Sequence, residues 1–282
     1  MMLDSIAVVG FGSMGSALVA GTLRCGLVQP KSILVIDPDP LARERAAALG
    51  CTVSADTSTI ADASWVALAV KPQSFPELAL NIGTLPTNTL VISVMAGVSI
   101  ARLQEAFGSS VRCVRCMPNV AAQIGLAVTA YACSAECSDA DRALVLRLLG
   151  SVGSTVEIAE NMFDAATATS GSGPAYLFLL AESMIESAVR LGFDRPTADR
   201  LVRQALLGAA TLLARSERTP SDLRGMVTSQ GGTTSAAMAI FESHGFHSMI
   251  HDALRAARDR GRDLSVAAAK QFPHTSAAAT TK

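Results

Sequence analysis

The chain has 282 residues, half of them hydrophobic but only 4% aromatic, and a formal net charge of −1. That length allows one large or two ordinary domains with ample core, and a filling of Ala, Val, Leu and Gly suits close helix–sheet and helix–helix packing. The charge balance, without a basic run, points away from nucleic acid or an anionic membrane surface as a partner. The apolar runs are too short or too interrupted to span a bilayer. Asp4 and the glycines at 10, 12 and 15 break the N-terminal apolar run, and no positive region precedes it, so a signal peptide is not expected. The expected location is cytoplasmic.

In chain order, Ser5 to Val9 is a short apolar β-run ending at Gly10-Phe-Gly12-Ser13-Met14-Gly15, and helical spacing resumes at Ala17, Leu18 and Leu23. A second β-run, Ser32 to Ile36, ends on Asp37. Together these form one βαβ unit with the dinucleotide fingerprint: strand, G-x-G-x-x-G, helix, then an acid about 20 residues on. Gly10 makes the tight turn, Gly12 lets the backbone meet a pyrophosphate, and Gly15 lets helix and strand pack closely. Asp37 can accept the ribose hydroxyls of NAD and would repel a 2′-phosphate, whereas its plainer role is to cap the next helix. Pro38, Asp39 and Pro40 supply no cation, although Arg43 and Arg45 could reach over. The balance favours NADH over NADPH.

The alternation continues with helix over 41–49, strand over 64–70, helix over 76–82, strand over 89–94, helix over 100–107 and strand over 111–117. Residues 126–133 and 154–158 look like peripheral strands around a helix over 139–149. Strands spaced by single helices predict a doubly wound parallel sheet, with ligands at the strands' carboxyl ends. Those ends carry Ala69, Val70, Lys71 and Pro72, then Ala96 and Gly97, then Met117 to Asn119. Small residues at Ala69, Ala96 and Gly97 leave room for a flat ring, and Lys71 places a positive charge there unless it is merely solvated.

The six cysteines include Cys113-x-x-Cys116 and Cys133-x-x-x-Cys137, spacings that superficially suggest zinc. Cys113 lies in a β-rich run and nothing beside it looks like a metal knuckle, so buried free thiols are expected. His247 and His251 stand at i, i+4 but lack the Glu of a metalloprotease motif. No metal site is expected.

After Glu160 the spacing is helical: 162–168, 175–191, 198–215, 221–227, 236–242 and 248–260, with Gly192, Gly245 and Gly261 as punctuation. Pro174 is placed to start the long second helix. These Ala- and Leu-rich helices are apolar around much of their circumference, which predicts a covering partner subunit. The expected division is 1–159 for the cofactor domain, 160–270 for a helical substrate-binding and dimerisation domain, and 271–282 for a disordered tail. Within the helical part, Thr228-Ser229-Gln230-Gly231-Gly232-Thr233-Thr234-Ser235 opens a helix. Such a loop can hold a small carboxylate or phosphate on backbone N–H groups and hydroxyls, or it can be an ordinary turn with Thr as N-cap.

Gly10-Phe-Gly-Ser-Met-Gly15, Ala69-Val-Lys-Pro-Gln73, Arg115-Cys-Met-Pro-Asn119, Ser170-Gly-Ser-Gly-Pro-Ala-Tyr176 and Val227-Thr-Ser-Gln-Gly-Gly-Thr-Thr-Ser235 together resemble Δ1-pyrroline-5-carboxylate reductase. The motifs stand in that family's order and span nearly the whole chain, and the last two are the specific ones. The resemblance implies reduction of a cyclic imine by a nicotinamide hydride, the last step of proline biosynthesis. It also implies a Rossmann domain followed by a helical domain that dimerises by interlocking helices, often within decamers.

Carried over by position, Gly12 to Gly15 hold the pyrophosphate, and Ala69, Val70, Lys71, Pro72, Ala96 and Gly97 line the nicotinamide side. Ser229, Gly232, Thr233 and Thr234 form the substrate pocket, with Thr234 as the catalytic hydroxyl, and Glu160 matches a position near the ring nitrogen. Asp37-Pro-Asp39 departs from the polar or basic residues commoner in the family, which puts NADPH preference in doubt. Gln230 stands where many members have Pro or a small residue. A β-hydroxyacid dehydrogenase, the nearest rival, would need a Lys that the stretch from Pro174 to Leu191 lacks. The intact Gly-Gly-Thr-Thr loop argues against a nonenzymatic cofactor sensor.

Overall fold

The computed structural model describes residues 5–270, which leaves the expected tail, 271–282, outside the described residues. Two compact units are formed: one from the N-terminal part up to Ser172 together with the chain from Ala257 onward, the other Gly173–Ala256.

The first unit alternates β1 (Ile6–Val9), α1 (Ser13–Arg24), β2 (Ile33–Ile36), α2 (Pro40–Ala48), β3 (Thr52–Ser54), β4 (Trp65–Leu68), α3 (Phe75–Ile82), β5 (Leu90–Ser93), α4 (Ile100–Phe107), β6 (Arg112–Met117), β7 (Ala127–Cys133), α5 (Asp139–Gly150) and β8 (Gly153–Glu157). The strands form one sheet in the order β3-β2-β1-β4-β5-β6-β7-β8. Four-residue runs such as Ile6–Val9 and Leu90–Ser93 are buried throughout, without alternation, because helices cover both faces. On one face Leu18, Val19 and Leu148 pack on Val8, Trp65 and Ile92. On the other, Phe75, Leu103 and Phe107 pack on Val9, Val66 and Val91, and the Phe75 and Phe107 rings meet edge-on at 5.9 Å.

Two features depart from the sequence expectation. β3 is a three-residue edge strand of Thr, Val and Ser, too short and too polar to register as an apolar run. β7 runs antiparallel to β6, so the sheet is mostly, not wholly, parallel. Only a 3₁₀ turn, Val120–Ile124, joins them, and a parallel return needs a crossover of a dozen residues or more.

Beyond β8, Phe163 enters the sheet's core from α6 (Phe163–Ala166), and the helix widens to a π segment over Thr167–Gly171. The second unit holds α7 (Gly173–Arg190), α8 (Arg195–Arg215), α9 (Pro220–Met226) and α10 (Thr233–Ser243). Pro174 is the second residue of α7, where its missing N–H costs nothing. α7 and α8 pack through Ile185, Ala198 and Val202, while Phe178, Leu179, Leu207, Leu212 and Ile240 remain exposed.

The final helix, α11 (Phe246–Lys270), runs through Gly261 without a break. Gly261 is no stop: a Cβ there would lie 3.4 Å from Asp164 Oδ1, so the glycine serves close packing within the sheet unit. Among the described residues no helix is long and apolar enough to cross a membrane. The six cysteines are free thiols, four of them buried, with Cys133 half-buried and Cys25 exposed.

Asp141 makes a local test of this unit. Its carboxylate completes a capping box with Ser138 at the start of α5 and pairs with Arg112 of β6. Burial pushes the carboxyl up, but bonds from the Ser138 hydroxyl and amide, with the Arg112 guanidinium, outweigh it and hold the group below the usual carboxylate range. A depressed value stabilises the fold above the unfolded pKa of about 3.9 and is lost as pH falls through the folded one. Asp141→Ala should therefore cost about 2–3 kcal/mol at pH 7 in urea unfolding, with the deficit shrinking below about pH 4.

Candidate active site

At the carboxyl end of β1 the chain turns at Gly10, whose φ of +93° suits glycine. A Cβ on Gly10 would lie 2.7 Å from the carbonyl oxygen of Ala69, and one on Gly15 would lie 2.0 Å from that of Gly10. The first turn of α1 therefore rides directly on the loop that precedes it. A Cβ on Gly12 would meet nothing within 4 Å, so that side of the loop is open. Gly12 is the N-cap of α1, no side chain caps the helix, and its first turn carries no acid. The amides at Ser13 and Met14 thus face an open, uncapped helix start, which fits a bound pyrophosphate.

Asp37 is held to this loop. Its Oδ2 accepts the Phe11 amide at 2.6 Å and its Oδ1 accepts the Asp39 amide at 2.9 Å. The cap of α2 is Asp39, which accepts from the Leu41 amide, so the plainer role suggested for Asp37 belongs to its neighbour. Arg43, a candidate to reach toward a phosphate, instead donates to the backbone carbonyls of Asp37 and Pro38 at 2.7 and 2.9 Å.

Ala69 follows β4 and donates its amide to Val9 O at 2.8 Å, which brings Ala69 and Val70 beside the glycine turn. Lys71 is exposed and precedes the 3₁₀ turn Pro72–Ser74. Ala96 and Gly97 follow β5, and Gly97, at φ +77°, comes close to Ser265 of α11. All the expected cofactor residues thus sit on the carboxyl edge of the sheet.

Glu160 also belongs to the sheet unit. Its Oε1 accepts the Ile100 amide at 2.7 Å and pairs with Arg115 Nη1 at 3.4 Å. The Arg115 guanidinium stacks 4.2 Å above the Phe163 ring. Burial lowers its pKa, while the charge of Glu160, its hydrogen bond and the charge of Asp164 oppose the shift. These groups line a 470 Å³ cavity together with Gly97, Ser99 and Arg262. Asn119 accepts the Ala121 amide and donates Nδ2 to Ser170 O at 3.1 Å, tying two of the sequence motifs together. Arg115, Asn119 and Ser170 had no assigned role from sequence, and membership of those motifs was the available signal.

The Ser229–Thr234 loop lies in the second unit. Gly231 has φ +71°, and Gly232 is the N-cap of α10, with no side-chain cap and no acid in the first turn. That removes the ordinary turn with a Thr N-cap. A Cβ on Gly232 would lie 2.4 Å from Ser229 Oγ, so glycine is needed for the hydroxyl to sit over the helix start. The Gly232 amide is bonded to Ser229 O at 3.0 Å, which takes it out of the donor set expected for an anion. The uncapped amides are those of the first turn, beginning at Thr233. Thr233 is exposed and Thr234 half-buried.

Gly15→Ala should lower affinity for ADP-ribose at least tenfold, measured by calorimetry, because the added methyl displaces the helix start.

Comparison with known proteins covers both units. Residues 160–264 match the family profile "Pyrroline-5-carboxylate reductase dimerisation", and residues 5–97 match "NADP oxidoreductase coenzyme F420-dependent". The pyrroline-5-carboxylate reductase of Methanosarcina acetivorans is 36% identical over 264 residues, covering 93% of this chain and 98% of that protein. The structure of the Coxiella burnetii pyrroline-5-carboxylate reductase superposes with a TM-score of 0.86 at 30% identity, covering 93% of this chain and 98% of that one. That of Plasmodium falciparum pyrroline carboxylate reductase with NADP bound gives 0.85 at 27% identity, covering 94% and 99%. With the family model and relatives of this identity and coverage, the chain belongs to the pyrroline-5-carboxylate reductase family of NAD(P)-dependent oxidoreductases.

Proposed function

We propose that the chain reduces the C=N bond of 1-pyrroline-5-carboxylate to give L-proline, using NADH in preference to NADPH. The observation that carries the substrate half is the uncapped start of α10 beneath the Ser229 hydroxyl. A carboxylate is the group such a start attracts, and no acidic side chain competes for it. Whole-length relatives bearing the reductase name support the imine as the reacting group.

The reduced nicotinamide supplies the hydride when bound. The protein's part is to orient the rings and stabilise charge. The Ser13 and Met14 amides hold the pyrophosphate within the Gly10–Gly15 turn, and the remaining lone pairs of Asp37 accept the ribose hydroxyls. Ala69, Val70, Lys71, Pro72, Ala96 and Gly97 line the nicotinamide side. The Thr233 and Thr234 amides and the Ser229 hydroxyl take the substrate carboxylate, Gly232 giving them room. Thr234 Oγ bonds the ring nitrogen and places its proton, leaving the neighbouring carbon electrophilic.

NADH preference rests on two local features. Asp37 presents a carboxylate where a 2′-phosphate would lie. Arg43, the nearby cation, spends its Nη1 on two backbone carbonyls.

The functional division we infer is 1–159 for cofactor and 160–270 for substrate and dimerisation, except that Glu160 and the end of α11, which pack within the sheet unit, serve the cofactor side. The match of 160–264 to a dimerisation family and the exposed Phe178, Leu179 and Leu207 support a homodimer, with decamers as the larger alternative that sedimentation would distinguish. Free thiols support a reducing, cytoplasmic setting.

Steady-state oxidation of NADH and NADPH with 1-pyrroline-5-carboxylate is the direct test, and no turnover with either would refute the assignment. Thr234→Ala should lower kcat at least about tenfold while leaving NADH affinity unchanged. Asp37→Ser should move the kcat/KM ratio toward NADPH by about tenfold or more.

A further inference from the structure

We infer that Glu160 is a positioning residue for the nicotinamide half of the cofactor site, acting by fastening the start of α4, and is not a substrate contact. The inference rests on the cofactor half of the function proposed above and not on the identity of the imine. The turn that would meet the nicotinamide, Ala96-Gly97, is followed by Val98 and Ser99, and then α4 begins at Ile100. A helix start leaves its first amides without intrahelical partners. Ser99 Oγ accepts the Arg102 amide, which leaves the Ile100 amide to be satisfied from outside the helix. Glu160 does this from 60 residues away, with Oε1 at 2.7 Å. A carboxylate is also the side chain that the positive end of a helix favours.

Glu160 is itself held. Arg115 comes from β6, directly opposite Ser93 at the end of β5, and reaches the same Oε1 at 3.4 Å while stacked on Phe163. Arg115 is buried and Phe163 is fully so, so this post is anchored in the sheet's core. A 470 Å³ pocket borders Gly97, Val98 and Ser99 on one side. Val98 gives the turn one buried apolar anchor, and the Glu160 carboxylate supplies the polar one at the helix start. Its Oε1 thus joins β6 to α4, and through Val98 and Ser99, the two residues before Ile100, it fixes where Gly97 and Ala96 stand.

The test compares NADH with ADP-ribose, which lacks the nicotinamide, as calorimetric ligands for the wild type, Glu160→Ala and Glu160→Gln. Glu160→Ala should weaken NADH about tenfold and leave ADP-ribose within about twofold. Glu160→Gln, which keeps an acceptor for the Ile100 amide, should recover most of the loss. In turnover, KM for NADH should rise in Glu160→Ala while KM for 1-pyrroline-5-carboxylate stays within about twofold. Equal weakening of NADH and ADP-ribose, unchanged NADH binding, or a rise confined to the imine KM would each overturn the inference. Should Glu160→Ala fail to fold, Glu160→Asp, one methylene short of Ile100, carries the same comparison. The binding arm uses no imine, so a failed reductase assay leaves it readable.

Discussion

The passage of the α1 backbone over the carbonyl of Gly10 is the constraint on which the cofactor half depends. With no side chain at position 15, the helix starts immediately above the turn, and the turn can press on Ala69 at the end of the next strand. The Asp37 carboxylate then joins the loop to β2 by accepting the Phe11 amide. Three adjacent strands, β2, β1 and β4, are thereby fixed at their carboxyl ends around one short loop. That arrangement leaves the α1 amides uncapped without exposing them to collapse onto a neighbouring side chain.

α10 repeats the same physical device in the helical unit. There a glycine N-cap again replaces a capping side chain, and again no acid stands in the first turn. The difference is that Ser229 folds over the helix start, adding a directed hydroxyl to the undirected attraction of the helix end. A pyrophosphate needs only close approach to the main chain. On the proposed assignment, a small carboxylate at α10 would gain orientation from the added hydroxyl, and orientation is what a two-ring reaction requires.

Much of this was legible in the sequence because the signals were local. The Gly10–Gly15 spacing, the apolar strands and the Gly231-Gly232-Thr233-Thr234 loop each announce themselves within about ten residues. What escaped was non-local or weakly patterned. β3 is three half-polar residues on an edge, and the reversal of β7 follows from a connection length rather than a composition. Gly261 looked like a helix stop because its packing partner, Asp164, lies almost a hundred positions away. The partners of Glu160 are 45 and 60 residues distant, so no window on the sequence shows that its carboxylate closes a helix. The loop's backbone N–H groups read from sequence as one anion-binding set, yet the turn consumes that of Gly232, a detail set by backbone geometry alone.

The π segment at Thr167–Gly171 has a consequence for how this chain can vary. A π turn holds one residue more than the α turn it replaces, and each residue of an α-helix advances the side-chain direction by about 100°. Ser170, within that wide turn, offers its carbonyl to Asn119, while Phe163 one short helix earlier is locked in the sheet's core. Removing a single residue here would leave a smooth helix, yet it would turn the residues of the segment that follow the deletion by about 100° and carry the Ser170 carbonyl away from Asn119. Length at this point is therefore as tightly specified as any side chain, and natural variation should exchange residues within the segment far more readily than it shortens it.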